Sequence, residues 1–176
     1  MIVKRFSTML WSDRHDAPVA VGVRDRKRTL TLATPCPVLD WSPPELTVVG
    51  PTDFLANDLG IRLCSAKLRD IIETSRNDAD HVQWLDAVVC DGNGSSADYF
   101  VPHFPSPFDV LDPDDTLFAA DGVTVVRPLI SLERAGLHTV FTYTPYGVAV
   151  VIAADVRRKI VSSACTGIYF GTIGQV

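Results

Sequence analysis

Four histidines (His15, His81, His103, His138) and four cysteines (Cys36, Cys64, Cys90, Cys165) are the side chains best suited to metal or nucleophilic chemistry in this chain. Structural zinc sites are prepared by local pairs such as Cys-x₂₋₄-Cys or His-x₃₋₅-His, which fix half a tetrahedron before the fold closes. No such pair is present, so no metal is expected, and the histidines read as surface or hydrogen-bonded groups. The cysteines lie 28, 26 and 75 residues apart in a chain long enough to fold without bridges, which predicts free buried thiols. Cys64 precedes a predicted helix, whose dipole would favour a thiolate. Its spacing from Leu68 nevertheless places it on the apolar face, the setting of an inert structural thiol. Gly-x-Ser-x-Gly, His-Glu-x-x-His and Walker-type motifs are missing. Gly92-Asn93-Gly94-Ser95-Ser96 lacks the third glycine of a dinucleotide loop and leads into a β-like run, so it reads as a hairpin turn. No catalytic residue and no cofactor are therefore assigned. A small enzyme with a Cys/His/Asp constellation assembled only in space is the alternative class, and replacing Cys64, Cys90 and Cys165 separates it from a binding protein.

The acidic run Asp109-Val110-Leu111-Asp112-Pro113-Asp114-Asp115 offers oxygen ligands but not a calcium loop. An EF-hand begun at Asp109 needs glycine where Asp114 stands and glutamate where Ala120 stands. A solvated loop with a helix-capping aspartate fits, as does a contact surface for a basic partner, with Asp109, Asp112, Asp114 and Asp115 as candidates. The basic run 24–28 is interrupted by Asp25 and carries no aromatic for base stacking, so it reads as a turn. Sixteen basic against twenty-one acidic residues give a net charge of −5, a field that repels phosphate backbones and anionic membranes. The longest apolar stretch, 147–154, has eight residues, against the roughly 20 that span a bilayer as a helix. Lys4 and Arg5 are not followed by the apolar region of a secretory signal, and a cytoplasmic location is expected.

The elements that must position these residues follow from periodicity. With 176 residues, 47% hydrophobic and 21% charged, the chain is expected to form one domain over 1–176. Residues 18–23 and 29–33 alternate as a hairpin about 24–28, and the prolines between 34 and 51 predict an irregular connection without a central strand. Ser65 caps a helix whose Leu68, Ile71 and Ile72 share one face. Residues 82–104 form a long hairpin about Asp91-Gly92-Asn93-Gly94. Strand-like runs at 123–126 and 129–132 flank Pro128, which suits an edge or a bulge. Runs at 140–143 and 147–151 surround a Pro145-Tyr146 turn, a helix over 154–164 is stopped by Gly167, and Ile168-Tyr169-Phe170 closes the chain as a strand. The fold class is α+β: mostly antiparallel sheet from hairpins, two main helices and proline-rich connections.

The order of these pieces from 61 to 176 resembles the immunity-protein family of bacterial polymorphic toxin systems named for a Myxococcus xanthus immunity protein, long catalogued as a domain of unknown function. The likeness rests on Leu63-Cys64-Ser65-Ala66-Lys67-Leu68 as the entry to a helix and Val82-Gln83-Trp84-Leu85 as the next strand. It continues in the Asp91-Gly92 turn, Tyr99-Phe100-Val101, Val110-Leu111-Asp112, the late helix 151–160 and the closing Thr166-Gly167-Ile168-Tyr169-Phe170. Two departures are the Ile130-Ser131-Leu132-Glu133 segment and Val140-Phe141-Thr142, which lacks the family's arginine; residues 1–51 match nothing specific. The resemblance implies a cytoplasmic binding protein without turnover. It would neutralise a cognate toxin stoichiometrically, by steric occlusion, in type VI or contact-dependent interbacterial competition.

Overall fold

Leu85, Ala87 and Val89 are buried while Asp86, Val88 and Cys90 between them are not, and this period of two sets the centre of the fold. The computed structural model describes residues 5–12, 16–22, 41–143 and 149–176. Its strands are β1 (Phe6–Trp11), β2 (Val19–Gly22), β3 (Glu45–Val48), β4 (Phe54–Asn57), β5 (Leu63–Ser65), β6 (Gln83–Asp91) and β7 (Ser96–His103). They continue as β8 (Leu117–Phe118), β9 (Val125–Arg127), β10 (Leu129–Ile130), β11 (Val140–Phe141), β12 (Val150–Ala153), β13 (Ile168–Thr172) and β14 (Gly174–Gln175). The helices are α1 (Ala66–Glu73), α2 (Leu132–Ala135) and α3 (Ala154–Ser162).

The β6–β7 hairpin belongs to a closed six-stranded barrel in the order β2-β3-β6-β7-β5-β4. Neighbours are antiparallel except at β3–β6 and β4–β2, which run parallel. Leu46, Val48, Leu55, Leu63, Leu85, Val89 and Val101 fill the interior, and closure leaves no edge to guard. Tyr99 is buried with them and donates its hydroxyl to Thr52 O at 2.8 Å; burial, with the Asp53 charge adding to it, pushes its pKa up to about 12.

A second sheet has the order β11-β12-β1-β13, antiparallel throughout. All four residues of β12 are buried, so this strand is covered on both faces. Helix α1 packs on β5 and β7 of the barrel, α3 packs on β1 and β12, and the two helices touch each other, so they lie between barrel and sheet. Leu68 and Ile72 of α1 and Val156 and Ile160 of α3 supply the buried stripes. Ser65 caps α1 as its sequence predicts: its Oγ accepts from Leu68 N at 3.2 Å and donates to Asp53 Oδ1 at 2.7 Å. Asp53 Oδ2 accepts from Thr166 N at 2.8 Å, joining the barrel to the entrance of β13.

The α+β class with two main helices holds, and several local expectations are corrected. Strand β3 lies inside the stretch read as irregular, between the parallel β6 and the antiparallel β2. Its four residues fit between Pro44 and Pro51, so no ladder donor is lost, and the Pro44 carbonyl accepts from Val88 N at 2.9 Å. Helix α3 ends at Ser162, with Ala164 rather than Gly167 taking the left-handed turn after it (φ 51°); Gly167 (φ 77°) instead serves the tight entrance to β13. The run 129–132 gives only β10 before Ser131 starts the single turn α2, and 140–143 shortens to β11. The strand after Gly167 is followed by β14, which pairs parallel with β10. Residues 24–28 and 29–33, the Pro145-Tyr146 turn, His15 and Cys36 lie outside the described residues. No helix among the described residues is long and apolar enough to cross a membrane.

Candidate functional site

Between residues 109 and 127 the sequence places five aspartates and a single arginine. Asp112 is half-buried and organises the turn: its Oδ1 accepts from Asp114 N at 3.0 Å and Asp115 N at 2.9 Å, and its carbonyl accepts from Thr116 N at 3.1 Å. The capping aspartate expected from sequence is thus Asp112, in a turn rather than a helix. Asp114 and Asp115 are exposed, their backbone held and their carboxylates pointed to solvent. Asp109 meets Arg134 Nη1 at 3.2 Å, an exposed pair of little energetic weight. The same Nη1 also reaches Leu111 O at 3.3 Å.

From this turn rises a two-stranded antiparallel ribbon, β8 with β9, that belongs to neither the barrel nor the second sheet. Its base is anchored by buried Thr116, whose Oγ1 both donates to Leu129 O and accepts from Leu129 N at 3.3 Å. A register shift beside Leu117 and Phe118 leaves Val126 as the additional residue of β9. Val125 packs inward on the core, whereas Leu117 and Val126 are 50% and 59% exposed and Val123 at the tip is 51% exposed. Three exposed aliphatic side chains thus stand on this ribbon, close in sequence to the exposed carboxylates of the turn.

Asp121 fixes the ribbon tip. Its carboxylate accepts from Thr124 Oγ1 at 2.6 Å, Thr124 N at 2.8 Å and Val123 N at 2.9 Å. The Thr124 hydroxyl first, then the two backbone donors, favour the ionised form and hold the pKa down at about 2, from 3.8. Because the folded value is the lower one, the tip contacts are fully present above about pH 4 and are lost as pH falls through about 2. A ¹³C carboxyl titration is expected to place Asp121 near 2, and Thr124→Val to move it toward 3.8; a wild-type midpoint at 3.8 contradicts this geometry.

Among the described residues, the other side chains suited to chemistry do not assemble into a catalytic set. Cys64 is wholly buried in β5 and burial raises its thiol well above the usual range; Cys165 is half-buried and raised for the same reason. Cys64, Cys90 and Cys165 are free. His138 does meet a carboxylate, with Nδ1 at 3.3 Å from Asp80 Oδ1 and its ring stacked on Phe108 at 3.8 Å. Asp80, however, is already saturated by Asn77 N, Thr139 N, Thr139 Oγ1 and Val140 N, which makes it a structural staple between two loops. The sequence signal for it, Asn77-Asp78-Ala79-Asp80, looks like no more than a helix breaker. His81 is exposed and its ring lies 5.6 Å from that of Phe108, on which His138 stacks, while His103 is buried in β7. Among the described residues no three His, Cys, Asp or Glu side chains are grouped to hold a metal ion. Among the described residues, those lining a cleft of about 220 Å³, including Ser12, Asp16, Thr52, Phe54 and Gly167, supply one carboxylate and no histidine or cysteine.

A search of curated proteins returned no match. The family model described as Immunity protein family (Imm11) matches residues 12–175, nearly the whole length and more than the 61–176 over which the likeness is visible by eye. Strands β2 and β3, which carry no recognisable motif, are thus part of the same unit of homology, and the chain belongs to the Imm11 immunity protein family.

Proposed function

We propose that the chain neutralises a toxin by covering the toxin's active site, with the acidic turn and the β8–β9 ribbon as its contact surface. The observation that carries this reading is the coincidence, within 109–127, of exposed Asp109, Asp114 and Asp115 with exposed Leu117, Val123 and Val126 on a ribbon outside both main sheets. Tight interfaces combine a few desolvated apolar anchors with a charged rim. Here the rim is negative, so the complementary partner is a toxin with a basic face, such as the phosphate-binding cleft of a nuclease; opposite charge accelerates encounter without being the main source of affinity. The family supports toxin neutralisation as the role. Its setting in this reading is the cytoplasm of the producing cell, against a toxin delivered by contact-dependent or type VI secretion.

The test is co-expression with the toxin encoded beside the gene, followed by affinity measurement on the purified pair. The triple variant Asp114→Lys, Asp115→Lys, Leu117→Ser changes only exposed side chains; the Asp112 carboxylate, the two backbone N–H groups it accepts from and the buried core stay in place, so its thermal midpoint should remain close to wild type. Its affinity should fall by about 100-fold, the sum of two reversed rim charges and one lost anchor. Unchanged affinity would remove the ribbon from the contact surface. Killing that continues with no detectable complex would remove the function itself.

A further inference from the structure

Strand β13 ends the second sheet, and among the described residues no strand pairs with its outer side. The phase of its hydrogen bonding is fixed by Ser12 N, which donates to Gly167 O at 3.0 Å. With Trp11 opposite Ile168 and Leu10 opposite Tyr169, residues 167, 169 and 171 bond to β1. The N–H and C=O groups of Ile168, Phe170 and Thr172 therefore point off the edge, six backbone groups in a row with no partner strand among the described residues. Past the end of β13, the Gln175 side chain takes over its role toward β1: Oε1 accepts from Phe6 N and Nε2 donates to Phe6 O, each at 3.0 Å.

Both faces beside this edge carry side chains suited to a partner. On one face Tyr169 is 55% exposed and its cross-strand neighbour Leu10 is 39% exposed, with Gly171 next along the strand leaving the surface low. On the other, Arg157 of α3 lies over the Phe170 ring at 5.1 Å and reaches Ser7 Oγ at 3.3 Å, but meets no carboxylate among the described residues. Val161, one turn further on the same side of α3, is 59% exposed. The edge is also continuous with the base of the ribbon: two residues after Thr172, Gly174 pairs with Leu129, which stands two residues after Arg127 of β9.

We propose that β13 is where an extended segment of the toxin pairs as a fifth strand, carrying an acidic side chain beside Arg157 and an apolar one over Tyr169 and Gly171. This rests on the toxin-binding reading above and extends it from the ribbon to a second, adjoining contact. Main-chain bonds to three outward-facing residues supply affinity, and the two flanking faces supply specificity. A second copy of the chain is the poorer occupant, because two-fold pairing of β13 with itself about Phe170 brings the two Arg157 guanidinium groups toward each other.

Hydrogen exchange on the full chain, free and in complex with the toxin encoded by the neighbouring gene, tests this. In the free protein the amides of Phe170 and Thr172 should exchange quickly while those of Tyr169 and Gly171 are protected. In the complex Phe170 and Thr172 should slow by at least about 100-fold. Thr172→Pro removes only an outward N–H and should weaken binding about 10-fold, with Thr172→Ala close to wild type. A complex in which Phe170 and Thr172 exchange as before overturns this inference and leaves toxin binding standing. Absence of any complex overturns the functional reading and this inference with it. Protection that appears in concentrated protein without toxin assigns the edge to self-association and overturns it as well.

Discussion

Replacing Asp80 by alanine is expected to cost about 4 kcal/mol of folding stability, measured as a shift of the urea midpoint at constant slope. The carboxylate is buried, with its residue 1% exposed. It accepts from three backbone N–H groups, those of Asn77, Thr139 and Val140, each at 3.1 Å, and from the Thr139 hydroxyl. It also meets His138. Alanine removes every acceptor at once and leaves these donors in a region that water does not reach, at about 1–3 kcal/mol for each one that stays unsatisfied. The site sits beside β11, whose Val140 and Phe141 are fully buried, so relaxation to admit water would open the edge of the second sheet. Asp80→Asn keeps one oxygen but presents an N–H₂ to backbone donors, and an intermediate loss is expected. A loss below about 1 kcal/mol for Asp80→Ala would show that the staple is not formed in solution.

How much of this was legible beforehand depended on the range of the interaction that decides each element. The β6–β7 hairpin and α1 could be read from residues 82–104 and 65–73 because their signals are local: a period of two about Asp91-Gly92, and a serine three residues before the N–H it caps. The barrel could not be read. Its closure depends on parallel pairing of β3 with β6, and of β2 with β4, across about 40 residues, and four apolar-alternating residues bounded by prolines carry no sign of such partners. The prolines around β3 hide it, because they read as breakers of the whole stretch although proline bars only the positions where an N–H is needed. The acidic turn was visible as composition, and β9 in part, as the strand-like run 123–126. Its partner Leu117-Phe118 is too short for periodicity, and what marks the ribbon as a surface is exposure, a property of the folded chain. Asp80 was legible as a breaker and silent as a staple, because its partners other than Asn77 N lie 58 to 60 residues away. Local physics named the helix and the hairpin, and the surface on which function is proposed is a product of long-range pairing.

Gly167→Ala tests the joint on which that surface depends. Gly167 adopts φ 77°, and a Cβ there would stand 2.4 Å from Thr52 Oγ1 and 2.5 Å from Phe54 O. The threonine hydroxyl can rotate away, but the Thr52 Cβ, 2.7 Å from the added carbon, moves only with its backbone. The Phe54 carbonyl is fixed in the barrel where β4 meets the chain before β13, with Phe54 N donating to Thr166 O at 3.1 Å. Alanine therefore adds the cost of a left-handed conformation, about 1–2 kcal/mol, to an overpacking cost of about 1–3 kcal/mol against backbone that cannot withdraw. A total near 3–4 kcal/mol is expected, read from chemical denaturation. Gly94→Ala supplies the comparison: Gly94 has φ 83° in the β6–β7 turn with nothing within 4 Å of the added carbon, so only the conformational part should be lost there. The difference between the two variants isolates the close approach of β13's entrance to the barrel. Equal losses would mean that the entrance stands off from Phe54, and the register that turns Ile168, Phe170 and Thr172 outward would lose its anchor.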